Sequence, residues 1–128
     1  VLEPVTKILS NIPNIHLIKP MEYQNFIKLM SYATLILTDS GGVQEEAPSL
    51  GKPVILMRDK TDRPESIKSG MTKLVGTNKD SIVNEAINFL NKTQFEQKKS
   101  KNYNPFGDGK ACEKISKALK RFSKKNYN

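Results

Sequence analysis

A chain of 128 residues is long enough to bury one core and to fold as one domain without a metal or a disulfide framework. Its single cysteine, Cys112, and single histidine, His16, exclude an internal disulfide and a cysteine-based zinc site, and this usage fits a reducing compartment, so a cytoplasmic protein is expected. The formal net charge of +8 does not mark a binding groove: acids and bases balance over residues 1–97, and the excess sits in the lysine-rich 98–128, which reads as a solvated end, with no nucleic-acid or membrane partner expected.

No apolar run approaches the roughly 20 residues of a membrane span, and no signal-peptide pattern opens the chain. The first residues, with Pro4 and then Val5, Ile8 and Leu9 on one side, read as the middle of a helix, so a preceding part is expected. "NIHLIKP" (14–20) reads as a strand stopped by Pro20, with His16 as a packing residue in it rather than a general base. "MEYQNFIKLMSYA" follows with Tyr23, Phe26, Ile27 and Met30 at helical spacing. "TLILTD" (34–39) is apolar on both faces, as a buried parallel strand should be. "VQEEAPSLG" is a helix closed by Gly51, and "KPVILM" (52–57) is a third strand. After a charged loop, "TKLVG" (72–76) makes a fourth strand. "KDSIVNEAINFLNKTQFEQ" (79–97) is a long helix with Ile82, Val83, Ala86, Ile87 and Leu90 on one stripe, capped by Asp80 or Ser81. "NPFGDGKAC" is a turn-rich start to a last helix from about Gly109, with Asp108 capping it. Cys112 has no His or Asp nearby in sequence and reads as inert. The alternation of short strands with helices gives an α/β fold, a Rossmann-like parallel sheet with flanking helices. A folded unit over 1–122 and a basic tail over 123–128 are expected.

In such a sheet, ligands sit beyond the carboxyl ends of the strands, where the chain turns into helices. "DSGGVQEE" (39–46) occupies that position. Gly41 and Gly42 let a ligand oxygen approach the backbone, and the helix start offers unpaired N–H groups and a positive dipole end. Ser40 is either the helix N-cap or a hydroxyl donor to a ligand, and the simplest guest is a phosphate; a purely structural cap and turn is the competing reading. No Walker loop and no G-x-G-x-x-G pattern is present. Glu45 and Glu46 lie in the first turns of that helix, where its dipole stabilises acids, and one of them is also placed to accept the hydroxyls of a ribose. In "RDKTDRPESIKSG" (58–70), Pro64 suits the first position of a helix, and Arg63 would then stand near the same edge as Ser40, unless it is simply an exposed loop arginine.

Together, "LTDSGGVQEEAPSLGKPV", "MRDKTDRPE", "LVGTNKDSIV" and "NPFGDGKAC", in this order and at these spacings, resemble the nonhydrolysing UDP-N-acetylglucosamine 2-epimerases over about 1–119. The resemblance implies part of the C-terminal domain of a GT-B-like two-domain enzyme, an isomerase that interconverts UDP-N-acetylglucosamine and UDP-N-acetylmannosamine by elimination and re-addition of UDP. It implies that the N-terminal domain and the first portion of the C-terminal domain are absent from this chain. By the same resemblance Ser40, Gly41 and Gly42 hold the diphosphate, Glu46 the ribose and Arg63 the substrate site, while Phe26 lies near the uracil. Met21 stands where some relatives carry Gln, which leaves only a backbone contact to the base. No metal or cofactor is implied, the full-length enzyme would be a homodimer, and the proton-transfer groups would lie elsewhere, His16 not occupying the family's histidine position. A stand-alone nucleotide-sugar-binding module and the donor half of a GT-B glycosyltransferase remain alternatives, the "RDKTDRPE" loop and "NPFGDG" turn weighing against the latter.

Overall fold

The structure is a computed structural model that describes residues 2–91, 104 and 106–126. The elements run α1 (Leu2–Leu9), α2 (Tyr23–Tyr32), β1 (Ile36–Thr38), α3 (Gly41–Ser49), β2 (Val54–Leu56), α4 (Pro64–Lys68), β3 (Thr72–Leu74), α5 (Lys79–Asn91) and α6 (Ala111–Asn126). Three strands lie in the order β1-β2-β3, all parallel, with Ile36 opposite Val54 and Val54 opposite Thr72. Parallel neighbours cannot be joined by a tight turn, and α3 and α4 supply the two crossovers.

β2 is apolar and buried at every position, so the sheet needs cover on both faces. Val54 joins Met30, Val43 and Ala47 in one buried cluster, with Ile27, Ile36 and Leu50 packed against it. This is where α2 and α3 bury their apolar stripes. β2 also packs against α5. Ile55 is as fully buried as Val54, and strand alternation directs it to the opposite face. α3 ends where the sequence says it should: Gly51 takes φ 70°, its N–H bonds Pro48 O at 2.9 Å, and Lys52 N–H bonds Ala47 O at 2.9 Å. A left-handed residue just past the helix is the ordinary way to satisfy its last carbonyls.

Four expectations are corrected. Segment 14–20 forms no strand, because a strand needs a neighbour to pair with and none of the described strands lies beside it. Asn14 instead turns at φ 67°, and Ile15, Leu17 and Ile18 stay exposed. His16 is therefore on the surface and is not a packing residue. The cap of α5 is Asn78, whose Oδ1 accepts the Ser81 N–H at 3.0 Å, in place of Asp80 or Ser81; asparagine fills this role as well as aspartate or serine does. The apolar stripe of α5 is also only half covered: Ile82 and Ala86 are partly buried while Val83, Ile87 and Leu90 are exposed. The end expected for this helix, 92–97, lies outside the described residues. In the last motif, Asp108 does not cap the helix: α6 starts at Ala111, and Asp108 Oδ1 accepts the N–H of Lys110, the residue before that helix, at 3.0 Å, which closes a local turn, while Oδ2 pairs with Lys114 Nζ at 2.9 Å. Asn104 Oδ1 accepts the Phe106 N–H at 2.9 Å and so closes the turn before it.

Candidate functional site

The carboxyl end of β1 runs into α3 through Asp39 and Ser40. Ser40 is the N-cap, extended at φ −75° and ψ 131°, and its hydroxyl oxygen faces the Val43 N–H at 3.5 Å, a long and weak bond. The Ser40 N–H is taken by Thr38 Oγ1 at 3.0 Å. Gly41 and Gly42 are the first two residues of the helix, so their amides have no acceptor within it. Ser40 and Gly42 are exposed and Gly41 half-buried, which opens this turn to solvent at its positive end.

Arg63 is brought to the same place by the loop after β2. It is the residue before α4, with Pro64 at the first helical position, where a missing N–H costs nothing. Its Cζ lies 3.8 Å from the position a Cβ on Gly41 would occupy. The guanidinium is held by Glu45 through Nε and by Asp62 through one terminal nitrogen. A guanidinium carries five N–H donors in a fork, so these two bonds leave donors for an oxyanion. Asp62 beside it, then Glu45, push the Arg63 pKa upward, and the same contact holds the Asp62 carboxyl below the usual range. The cation is thus permanent and fixed in direction.

One turn into α3, Glu46 Oε1 accepts the Tyr23 hydroxyl at 3.0 Å, an interaction that raises the Tyr23 pKa. Glu46 and Tyr23 line an open cleft of about 410 Å³ with Ile27, Leu50 and Phe106. Phe26, on α2, lines a different and strongly apolar cleft of about 380 Å³ with Leu29, Ile36, Thr38 and Val43. Met21 is exposed in the segment just before α2.

Ser40, Gly41, Gly42 and Arg63 are therefore assembled at one sheet edge, with Glu46 a helical turn away. Phe26, on α2, and Glu46, on α3, are not gathered into one cleft. Sequence reasoning passed over Gln44, Thr61 and Tyr23. Gln44 is a fully buried polar side chain between the apolar Val43 and Ala47, and a glutamine at an inward position of a helix was the available signal. No group of three or more His, Cys, Asp or Glu suited to a metal occurs among the described residues, and no described helix is long and apolar enough to cross a membrane.

A family model described as UDP-N-acetylglucosamine 2-epimerase matches residues 1–120. The UDP-N-acetylglucosamine 2-epimerase of Escherichia coli K12 is 54% identical over 120 residues, which is 94% of this chain and 32% of the relative. An S. aureus structure, MnaA with UDP, is similar with a TM-score of 0.83 and 39% identity over 94% of this chain and 32% of that one. The UDP-GlcNAc 2-epimerase from Neisseria meningitidis bound to UDP-GlcNAc gives a TM-score of 0.78 and 42% identity, over 94% of this chain and 33% of that one. The chain thus spans about a third of the length of the relatives it matches.

Proposed function

The chain belongs to the UDP-N-acetylglucosamine 2-epimerase family, and we propose that it is the UDP-holding part of such an enzyme, one that interconverts UDP-N-acetylglucosamine and UDP-N-acetylmannosamine. The observation that carries this reading is the Arg63 guanidinium standing beside Gly41 at the open end of α3. Backbone amides, a hydroxyl and a fixed cation meet there, which is the chemistry a diphosphate requires. Glu46, one turn further, has a carboxylate to accept the two ribose hydroxyls, and its bond from Tyr23 leaves its second oxygen for the sugar. Phe26 offers an aromatic surface to uracil, and Met21 contributes through its backbone.

The reaction gives these groups their purpose. Breaking the anomeric C–O bond leaves the electron pair on the diphosphate, while the C2 proton departs to a base and a 2-acetamidoglucal remains. Re-addition of UDP with a proton delivered to the opposite face of C2 completes the inversion. Charge grows on the diphosphate as the bond breaks, so donors already aimed at it favour the transition state over the bound substrate. In a water-excluded site the amides of Gly41 and Gly42 contribute about 3 kcal/mol each. The same grip keeps UDP beside the glycal until it is re-added, a proximity effect. The groups that move the C2 proton lie outside this chain, so the chain alone binds and does not epimerise. The full enzyme is a cytoplasmic homodimer on this reading.

Calorimetric titration of the chain with UDP and UMP, together with chromatography of UDP-N-acetylglucosamine incubated with it, tests the proposal. UDP binding that exceeds UMP binding, with no mannosamine product, is expected. Absence of UDP binding would overturn the UDP-holding role, and a mannosamine product would overturn the claim that the proton-transfer groups lie elsewhere.

A further inference from the structure

We propose that Gln44 and Thr61 are positioning residues that tie Arg63 to the Ser40–Gly42 turn, so that the amide donors and the cation of the diphosphate site are held as one unit. This rests on the UDP-holding role proposed above and concerns how that site keeps its shape. Arg63 is far from the turn in sequence; its guanidinium reaches Glu45 on α3 and its neighbour Asp62. The backbone at Arg63 is located by a different set of bonds. Gln44 is fully buried; its Nε2 donates to Ser40 O at 3.3 Å and its Oε1 accepts the Thr61 hydroxyl at 2.6 Å. Thr61 Oγ1 in turn accepts the Arg63 N–H at 3.1 Å. On the other side of the same residue, Arg63 O accepts the hydroxyl of the fully buried Ser66 at 2.9 Å.

The connection is therefore continuous: Ser40 carbonyl, Gln44 amide, Thr61 hydroxyl, Arg63 amide. Gln44 and Thr61, the two middle members, each donate on one side and accept on the other, the arrangement in which a buried polar side chain is satisfied and a single rotamer is selected. Threonine is suited to the middle place because one hydroxyl both donates and accepts. A valine there has the same shape and can do neither. Its loss would leave the buried Gln44 carbonyl oxygen without this donor and release the Arg63 backbone from the helix start. Arg63 would keep its carboxylate partners, yet the backbone from which its side chain extends would no longer be fixed to the helix start.

A double-substitution cycle on the 128-residue chain tests this, read as the ratio of UDP to UMP affinity by calorimetry, with thermal melting followed in parallel. Thr61→Val is expected to lower that ratio about fivefold, the effect of one misplaced hydrogen-bonding group, and Thr61→Ser is expected to restore it. In an Arg63→Ala background, Thr61→Val is expected to change the ratio no further, because the residues act through the guanidinium. If Thr61→Val melts below the assay temperature, the smaller Thr61→Ala is used, with the same expectation. An undiminished ratio in Thr61→Val or Thr61→Ala, or an equal loss in the Arg63→Ala background, would overturn the positioning role while leaving UDP binding intact. A wild-type chain that binds no UDP would instead overturn the functional reading and this inference with it.

Discussion

Replacing Arg63 by alanine separates what the residue does for binding from what it does for the fold. In the free protein its side chain is 31% exposed, and its partners Glu45 and Asp62 are 43% and 68% exposed. Ion pairs this open to water are screened, and they contribute little net stability. The melting midpoint should therefore move by only a few degrees, and part of that shift is mutual repulsion between the two acids left behind. The binding cost is larger. A phosphate oxygen taken up at the Gly41 amide lies within reach of a guanidinium whose Cζ is 3.8 Å from the Gly41 Cβ position, and a charge-assisted bond there corresponds to about tenfold to a hundredfold in Kd. Calorimetry with UDP at two salt concentrations checks both the magnitude and its origin, since removing the cation should also flatten the salt dependence. Arg63→Lys should recover only part of the loss, because an ammonium cannot hold Glu45 and a phosphate as a planar fork does. An unchanged Kd in Arg63→Ala with the fold intact would refute the assignment of the diphosphate to this turn.

Glu46→Ala is expected to raise the Kd for UDP about tenfold and to leave that for inorganic pyrophosphate unchanged; equal weakening of both in calorimetry would argue against a ribose contact. Ile55 is fully buried in the central strand, so Ile55→Ala should cost about 2–5 kcal/mol in urea unfolding, against well under that for the exposed Leu37→Ala. Thr72 Oγ1 is buried without a partner among the described residues, and Thr72→Val should be neutral or stabilising by about 1 kcal/mol; a marked loss in the same unfolding assay would show that the hydroxyl has a partner. The pH dependence of melting has a definite sign. Arg63 holds Asp62 low and Lys114 holds Asp108 low, so their contribution is present above the unfolded value of about 3.9 and is lost as pH falls through the lower folded values. Tyr23 is raised by its bond to Glu46, so its contribution is present below about 10 and is lost as pH rises through the higher folded value. A melting midpoint that increased on acidification below pH 4 would contradict the Asp62 and Asp108 pairings.

The features legible in the sequence are those whose cause is local. Ser40 caps because serine next to a helix start bonds the third amide, Gly51 ends α3 because only glycine takes the left-handed turn without strain, and Pro64 opens α4 because that position lacks an acceptor anyway. The apolar run over 53–57 shows a doubly covered strand because no polar side chain interrupts it. Segment 14–20, with Ile15, Leu17 and Ile18, also reads locally as a strand and does not pair, since a strand is completed by its neighbour and not by its own residues. The relation of Glu45 and Asp62 to Arg63 was hidden for a similar reason. Charges at 45, 46, 58, 59, 62 and 63 are close in sequence, but which carboxylate meets which cation depends on how α3 and the loop after β2 approach across the sheet edge. Gln44 is the clearest case: helical spacing places it between Val43 and Ala47, and only the arrival of Thr61 17 positions later turns a buried amide from a cost into a tie. The groups proposed to touch ligand thus announce themselves by residue type, whereas those that aim them are visible only once non-local packing is known. Substitutions at Gln44 and Thr61 should accordingly alter the affinity difference between UDP and UMP without adding or removing any group that contacts the nucleotide.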